Sequence, residues 1–249
     1  MASSKKGVIL FSFGSLVKTN LLPQQAKLEL FKAFTHFPEH TILWKWDNIG
    51  KEDAELLAQS PNIHVIEWLP QVDLLNDRRV KVFITHAGLN SYLETTHAGV
   101  PIVAIPVLGD QFYNAGCAEK LGIGIHIDKE KITEKAMVDA LTAILGTESS
   151  SESNYTRRAR VLRQMLHKRP EDPKETFIRY LEYAAEFPNL GTGTLQMASV
   201  GMPVWKYYCL DIISAVLSAL ITAMLVLVYV VKLFWGMVLD CRCNKLKKS

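Results

Sequence analysis

The sequence predicts an α/β protein, a Rossmann-like doubly wound parallel sheet, followed by one C-terminal transmembrane helix. Three observations carry that reading. Short apolar runs alternate with amphipathic stretches long enough to serve as crossover helices. Gly and Pro punctuate the joins between them. Residues 212–231 contain no charged side chain.

The elements follow in order. Residues 8–13 are a nearly continuous apolar run, read as a strand, with Gly14-Ser15 as the turn after it. Residues 23–37 place Leu28, Phe31, Ala33 and Phe34 at helical spacing, and Pro38 ends that helix. Residues 41–46 alternate as a second strand, 52–59 form a short helix, 63–66 a third strand and 80–85 a fourth. Helix 88–98, strand 102–105, helix 111–121, strand 123–127 and helix 133–145 complete the alternation. The Ser- and Glu-rich stretch 146–153 reads as an exposed loop. Two further helices, 155–166 and 174–187, flank Pro170 and Pro173. The expected organisation is a ligand-binding domain at 1–187, a linker at 188–211, a membrane span at 212–231 and a basic tail at 232–249.

At about 1.5 Å rise per residue, twenty helical residues reach about 30 Å, the thickness of a bilayer's hydrocarbon. Apolar residues surround that segment, with only Ser214, Ser218 and Thr222 as small polar interruptions, so a buried soluble helix is the weaker reading. Net charge is +3, and the tail alone carries +4, which leaves −1 for the rest of the chain. A near-neutral globular part argues against nucleic acid as a partner. The positive-inside rule places the tail in the cytosol and residues 1–210 in a lumen or outside the cell. Residues 8–13 are too short for a signal-peptide core. A chain whose only membrane signal is C-terminal would insert with the opposite orientation, so either an upstream region is missing or the charge rule fails here.

The four cysteines do not form a disulfide framework. Cys117 and Cys209 are far apart, whereas Cys241 and Cys243 lie just beyond the span, where S-acylation occurs. Asn154-Tyr155-Thr156 is an N-glycosylation sequon in a polar stretch, in keeping with a luminal domain.

Candidate chemistry concentrates in residues 83–94, Phe-Ile-Thr-His-Ala-Gly-Leu-Asn-Ser-Tyr-Leu-Glu. A strand runs through a small-residue turn into a helix, whose first amides and positive dipole end suit a diphosphate. Gly88 lets the backbone approach a ligand, and the His86 imidazole suits a phosphate oxygen. Asn90 and Glu94 are one turn apart on a helix face, where a carboxylate accepts from both hydroxyls of a ribose. Further on come residues 99–106, Gly-Val-Pro-Ile-Val-Ala-Ile-Pro, and then Asp110-Gln111.

In type and order these residues resemble the signature of the UDP-glycosyltransferases, the family that includes the UDP-glucuronosyltransferases. Trp68-Leu69-Pro70-Gln71 resembles the family's Trp-x-Pro-Gln element, and Phe13-Gly14-Ser15 its first strand and turn. The resemblance is dense over residues 7–145 and looser at the segment before the membrane, 206–211. It implies the C-terminal, donor-binding domain of a GT-B glycosyltransferase. Trp68 would then stack on uracil and Gln71 read its edge. Glu94 would hold the ribose. Ser15, His86, Asn90 and the amides at Gly88 would face the diphosphate, Asp110 with Gln111 the transferred sugar, and Ser91 would belong to the UDP-sugar site. The UDP-sugar is a substrate, and the resemblance implies no cofactor and no metal. It also implies residence in the endoplasmic reticulum membrane, for which Lys245-x-Lys247-Lys248 has retrieval-signal spacing, and association with copies of itself or with other family members. Trp44-Lys45-Trp46-Asp47 resembles another element near the donor, without an assigned role.

Full family members are about twice this length and carry an acceptor domain before the first strand. The general base, a His in that domain, has no counterpart here, so no catalytic residue is assigned. His36, His40, His64, His97, His126 and His167 lie in no motif that supplies one. Two other readings stand beside donor binding. One is a truncated, non-catalytic form that binds UDP-sugar or regulates full-length partners. The other is an α/β domain for a different phosphate ligand.

Overall fold

The structure, a computed structural model, describes residues 5–15, 17–146, 152–187, 197 and 199–246. It divides into two compact units, Met1–Pro170 and Glu171–Ser249.

The first unit holds six strands: β1 (Val8–Ser12), β2 (Thr41–Lys45), β3 (Ile63–Ile66), β4 (Val80–Thr85), β5 (Ile102–Ala104) and β6 (Gly124–His126). All pairings are parallel and the spatial order is β3-β2-β1-β4-β5-β6. This is the Rossmann order, which reverses between β1 and β4. Val8, Ile9, Leu10 and Phe11 are wholly buried because the central strand has helices on both faces, which is why its sequence is apolar without alternation.

One face packs on α1 (Gln24–Thr35) and α6 (Glu134–Leu145), with Phe11, Phe34, Trp44, Trp46, Ile84, Met137 and Leu141 in its core. Phe11 stacks on Trp44 with centroids 4.4 Å apart, and Trp44 lies 4.8 Å from Trp46. The other face is covered by α3 (Gln71–Leu75), α4 (Leu89–Ala98), α5 (Gln111–Leu121) and α7 (Asn154–His167), around Leu10, Leu43, Phe83, Ala104 and Ala118. A short helix, α2 (Lys51–Ala58), links β2 to β3. Every strand expected from the sequence is present, with no end shifted by more than one residue. The five-residue helix α3 is additional: it is too short to show a helical period.

Two details change. The sequon residue Asn154 opens α7, with Ser153 as its cap, and so stands on a helix rather than in a loop. Residues 147–151, most of the expected loop, lie outside the described residues. Cys117 and Cys209 are free thiols.

The second unit contains α8 (Pro173–Glu186), α9 (Val204–Tyr207) and α10 (Leu210–Leu246). Asp172 caps α8 by accepting from the amides of Lys174 and Glu175, and Pro173 starts the helix where a missing N–H costs nothing. Within α10, Leu210–Gly236 is long and apolar enough to cross a membrane, with mean hydropathy 2.5 and no burial. Its polar interruptions are satisfied inside the helix: the Ser214 hydroxyl donates to the Asp211 carbonyl, Ser218 to Ser214 and Thr222 to Ser218. Ten residues of the expected linker, 188–196 and 198, and the terminal Lys247, Lys248 and Ser249 lie outside the described residues.

Candidate donor-binding site

In open α/β sheets, ligands bind outside the carboxyl ends of the strands, where the strand order reverses. Here that point is fixed by register, because Ser12 pairs with Thr85 at the ends of β1 and β4. The two exits, Phe13-Gly14-Ser15 and His86-Ala87-Gly88, therefore emerge side by side. A cleft of about 430 Å³ opens beside them, lined by Ser12, Gly14, Ser15, Lys45, Trp68, Gln71, Asn90, Ser91 and Glu94 among others. Six of the ten expected ligand residues thus share one cavity wall.

Trp68 is 73% exposed, unusual for an indole, and its ring faces the Lys45 ammonium at 5.2 Å from the centroid. Gln71 begins α3 and reaches α4, where its amide nitrogen donates to a Glu94 carboxylate oxygen at 2.7 Å and to the Ser91 hydroxyl at 3.0 Å. Among the described residues the Gln71 side-chain oxygen and the second Glu94 oxygen make no hydrogen bond. Asn90 and Glu94 do share one face of α4, and both line the cleft.

His86, Gly88, Asp110 and Gln111 form an adjoining wall. His86 is 8% exposed, and its imidazole lies between two glycines. A Cβ at Gly14 would stand 2.8 Å from His86 Cε1, and one at Gly88 would stand 2.5 Å from Nε2. Gly14 also needs its positive φ of 76°. Gly88 has an ordinary φ of −59°, so its lack of a side chain matters for the imidazole beside it rather than for backbone freedom. No side chain caps α4 at Gly88, which leaves the first-turn amides to the cleft. Burial holds the His86 imidazole below its usual pKa, and the Asp110 carboxylate opposes that only in part. The ring is therefore neutral at neutral pH.

The wall is braced from α5. Asn114 donates to the Ala87 carbonyl at 3.0 Å and to the Asp110 carboxylate at 3.1 Å, which fixes the turn in which Ala87 takes a positive φ of 60°. Gln111 is 5% exposed, and its side-chain oxygen accepts from the amides of Val107 and Leu108 at 2.8 and 3.1 Å. Among the described residues its amide nitrogen makes no hydrogen bond. None of His36, His40, His64, His97, His126 and His167 lines the cleft.

Of two further residues at the site, the sequence reading named Lys45 without a role and missed Asn114. Lys45 donates to the Gly14 carbonyl at 2.8 Å and lines the cleft, while Trp44 and Trp46 on either side of it are buried in the opposite core. Alternation along β2 was the available signal. Asn114, one helical turn after Asp110, was the other.

The family model described as "UDP-glucoronosyl and UDP-glucosyl transferase" matches residues 1–245. The chain belongs to that family. UDP-glycosyltransferase UGT5 of Dactylopius coccus is 31% identical over 92% of this chain and 41% of its own length. UDP-glucuronosyltransferase 2A3 of Mus musculus is 30% identical over 89% of this chain and 39% of its own. Among solved structures, a kitacinnamycin glycosyltransferase superposes with TM-score 0.54 at 27% identity, covering 67% of this chain and 40% of that one. UDP-glucose: anthocyanidin 3-O-glucosyltransferase in complex with UDP gives TM-score 0.61 at 23% identity, over 74% and 42%, a likeness of fold. These neighbours are GT-B glycosyltransferases. The chain spans about two fifths of the length of the relatives it matches.

Proposed function

We propose that this chain is the donor-binding part of a UDP-sugar glycosyltransferase. Joined to an acceptor domain, it would transfer a hexosyl or glucuronosyl group to a small lipophilic acceptor. One observation carries the reading: an exposed indole, a Gln–Glu pair and uncapped helix amides meet in a single cleft where the strand order reverses. Uracil lies on Trp68 with Gln71 at its edge, and the free Glu94 oxygen takes the ribose. The diphosphate meets Ser15, Asn90, Ser91 and the start of α4, with His86 behind. Asp110 and the Gln111 amide face the transferred sugar.

When an acceptor hydroxyl attacks the anomeric carbon, negative charge grows on the departing diphosphate. The α4 amides, with His86 beside them, stabilise that charge in place, so their interaction is stronger in the transition state than in the bound donor. The base that deprotonates the acceptor comes from the domain that relatives carry and this chain does not match.

The apolar stretch of α10 anchors the protein in the endoplasmic reticulum membrane, with the donor-binding unit luminal and the basic tail cytosolic. Calorimetric titration of the full chain with UDP and a panel of UDP-sugars tests the site. Micromolar binding that Trp68→Ala and Glu94→Ala each weaken at least about tenfold is expected. Unchanged affinity in both variants removes the assignment.

A further inference from the structure

The near-zero charge of the globular part conceals a segregation. At the amino ends of β4 and β5, the opposite end of the sheet from the donor cleft, a cavity of about 930 Å³ is lined by Arg78, Lys81, Arg160, Arg163, His167 and Lys168, with Asp77 as the one acidic residue on its wall. These basic side chains are all exposed. Asp77 is already engaged by Arg79, which holds its carboxyl far below the usual carboxylate range. Arg160 pairs with Glu152, but Arg163 donates to the Ala98 carbonyl and Lys81 to the Arg78 carbonyl, and among the described residues neither has an acidic partner. His97, beside His167 and Arg169, has its pKa lowered by burial first and by these two neighbours next.

We propose that this basic edge docks on the phosphate headgroups of an anionic bilayer. The inference rests on α10 crossing a membrane, since a chain with such a span is held at a lipid surface. The cations are spread across an open rim from the start of β4 to the end of α7, a shape suited to a charged plane more than to one enclosed anion. Each such cation at a surface is worth about a fivefold gain in occupancy, and the attraction decays within a Debye length of about 8 Å at physiological salt. Docking by this edge leaves the carboxyl ends of the strands, and the donor cleft with them, turned to solvent.

The test uses the full chain in lipid nanodiscs of phosphatidylcholine alone or with phosphatidylserine, read by amide hydrogen exchange over residues 77–81 and 157–169. Exchange slowed about fivefold or more in the anionic discs is expected. It should revert at 0.5 M NaCl and in Arg78→Glu/Lys81→Glu/Arg163→Glu/Lys168→Glu, with UDP binding in that variant as the folding control. If the fourfold variant loses UDP binding, Lys168→Glu alone supplies the comparison. Equal exchange in both lipids overturns the docking. Protection in neutral discs by inorganic phosphate, or by RNA but not by anionic lipid, overturns the lipid source. Failure of the chain to enter discs of either kind rejects the membrane span itself, which is a separate result.

Discussion

The His86 imidazole occupies space that a methyl group at Gly88 would need, since the Cβ would come within 2.5 Å of Nε2. Gly88→Ala must therefore push the ring aside or bend the turn. We expect a stability loss of about 1–3 kcal/mol, typical of overpacking, and UDP affinity down about tenfold or more. In a His86→Ala background the same substitution should cost much less, a coupling of about 0.5–3 kcal/mol in a double-mutant cycle. Additive effects would show that the two residues do not share this space.

His86 also predicts a pH dependence. Its folded pKa lies below the ordinary value near 6.5, with burial as the main cause, so the unfolded chain binds the proton more readily. The stability it contributes is present above about pH 6.5 and is lost as pH falls through the folded pKa. Asp110→Asn removes the opposing carboxylate and should move the folded pKa lower still. Binding a diphosphate should raise it, so UDP binding near pH 6 takes up a proton. NMR titration of the imidazole, and calorimetry in buffers of different ionisation enthalpy, measure both.

Trp68 is expected to matter for binding and not for folding. At 73% exposure its removal leaves no cavity, whereas a base stacked on it is worth about 1–3 kcal/mol. Trp68→Ala should leave the thermal midpoint nearly unchanged while weakening UDP about tenfold or more. A lowered midpoint with unchanged affinity would reverse that assignment.

Lys45→Met should separate position from charge. It removes the bond to the Gly14 carbonyl and the cation over Trp68 while keeping an apolar stem. We expect weaker UDP binding with less salt dependence than wild type, measured by titration at two ionic strengths. An unchanged salt dependence would place the ammonium outside the field of the diphosphate.

Lys27 and Asp53 form an ion pair at 2.7 Å with each side chain only 6% exposed. Asp53→Ala strands a buried ammonium and should cost about 3–5 kcal/mol, while Lys27→Met/Asp53→Leu should recover most of that. Thermal unfolding of the full chain in detergent reports the difference. Equal losses in the single and double variants would mean that water reaches the ammonium.

Composition and pattern made much of this legible. The periods of 2 and 3.6 placed the strands and major helices, and the absence of charge over 212–231 marked α10. The residue types from Phe83 to Glu94 pointed to a diphosphate. Helix α3 was not legible, because five residues complete barely one turn. Lys45 was named without a role because its partner carbonyl at Gly14 is 31 positions away in sequence. The basic edge was hidden for the same reason: net charge sums over the chain, whereas the field at a surface depends on which residues folding brings together.

Local chemistry, carried by the order of residues, determined the family signature, the alternation of elements and the apolar helix. Those depend on neighbours one to four positions apart. Folding alone decided that Ser12 pairs with Thr85, that Gln71 meets Glu94, that glycines from two different turns enclose one imidazole, and that the cations collect opposite the donor cleft. Each of these joins segments far apart in the chain, and only the packed sheet sets the distance between them.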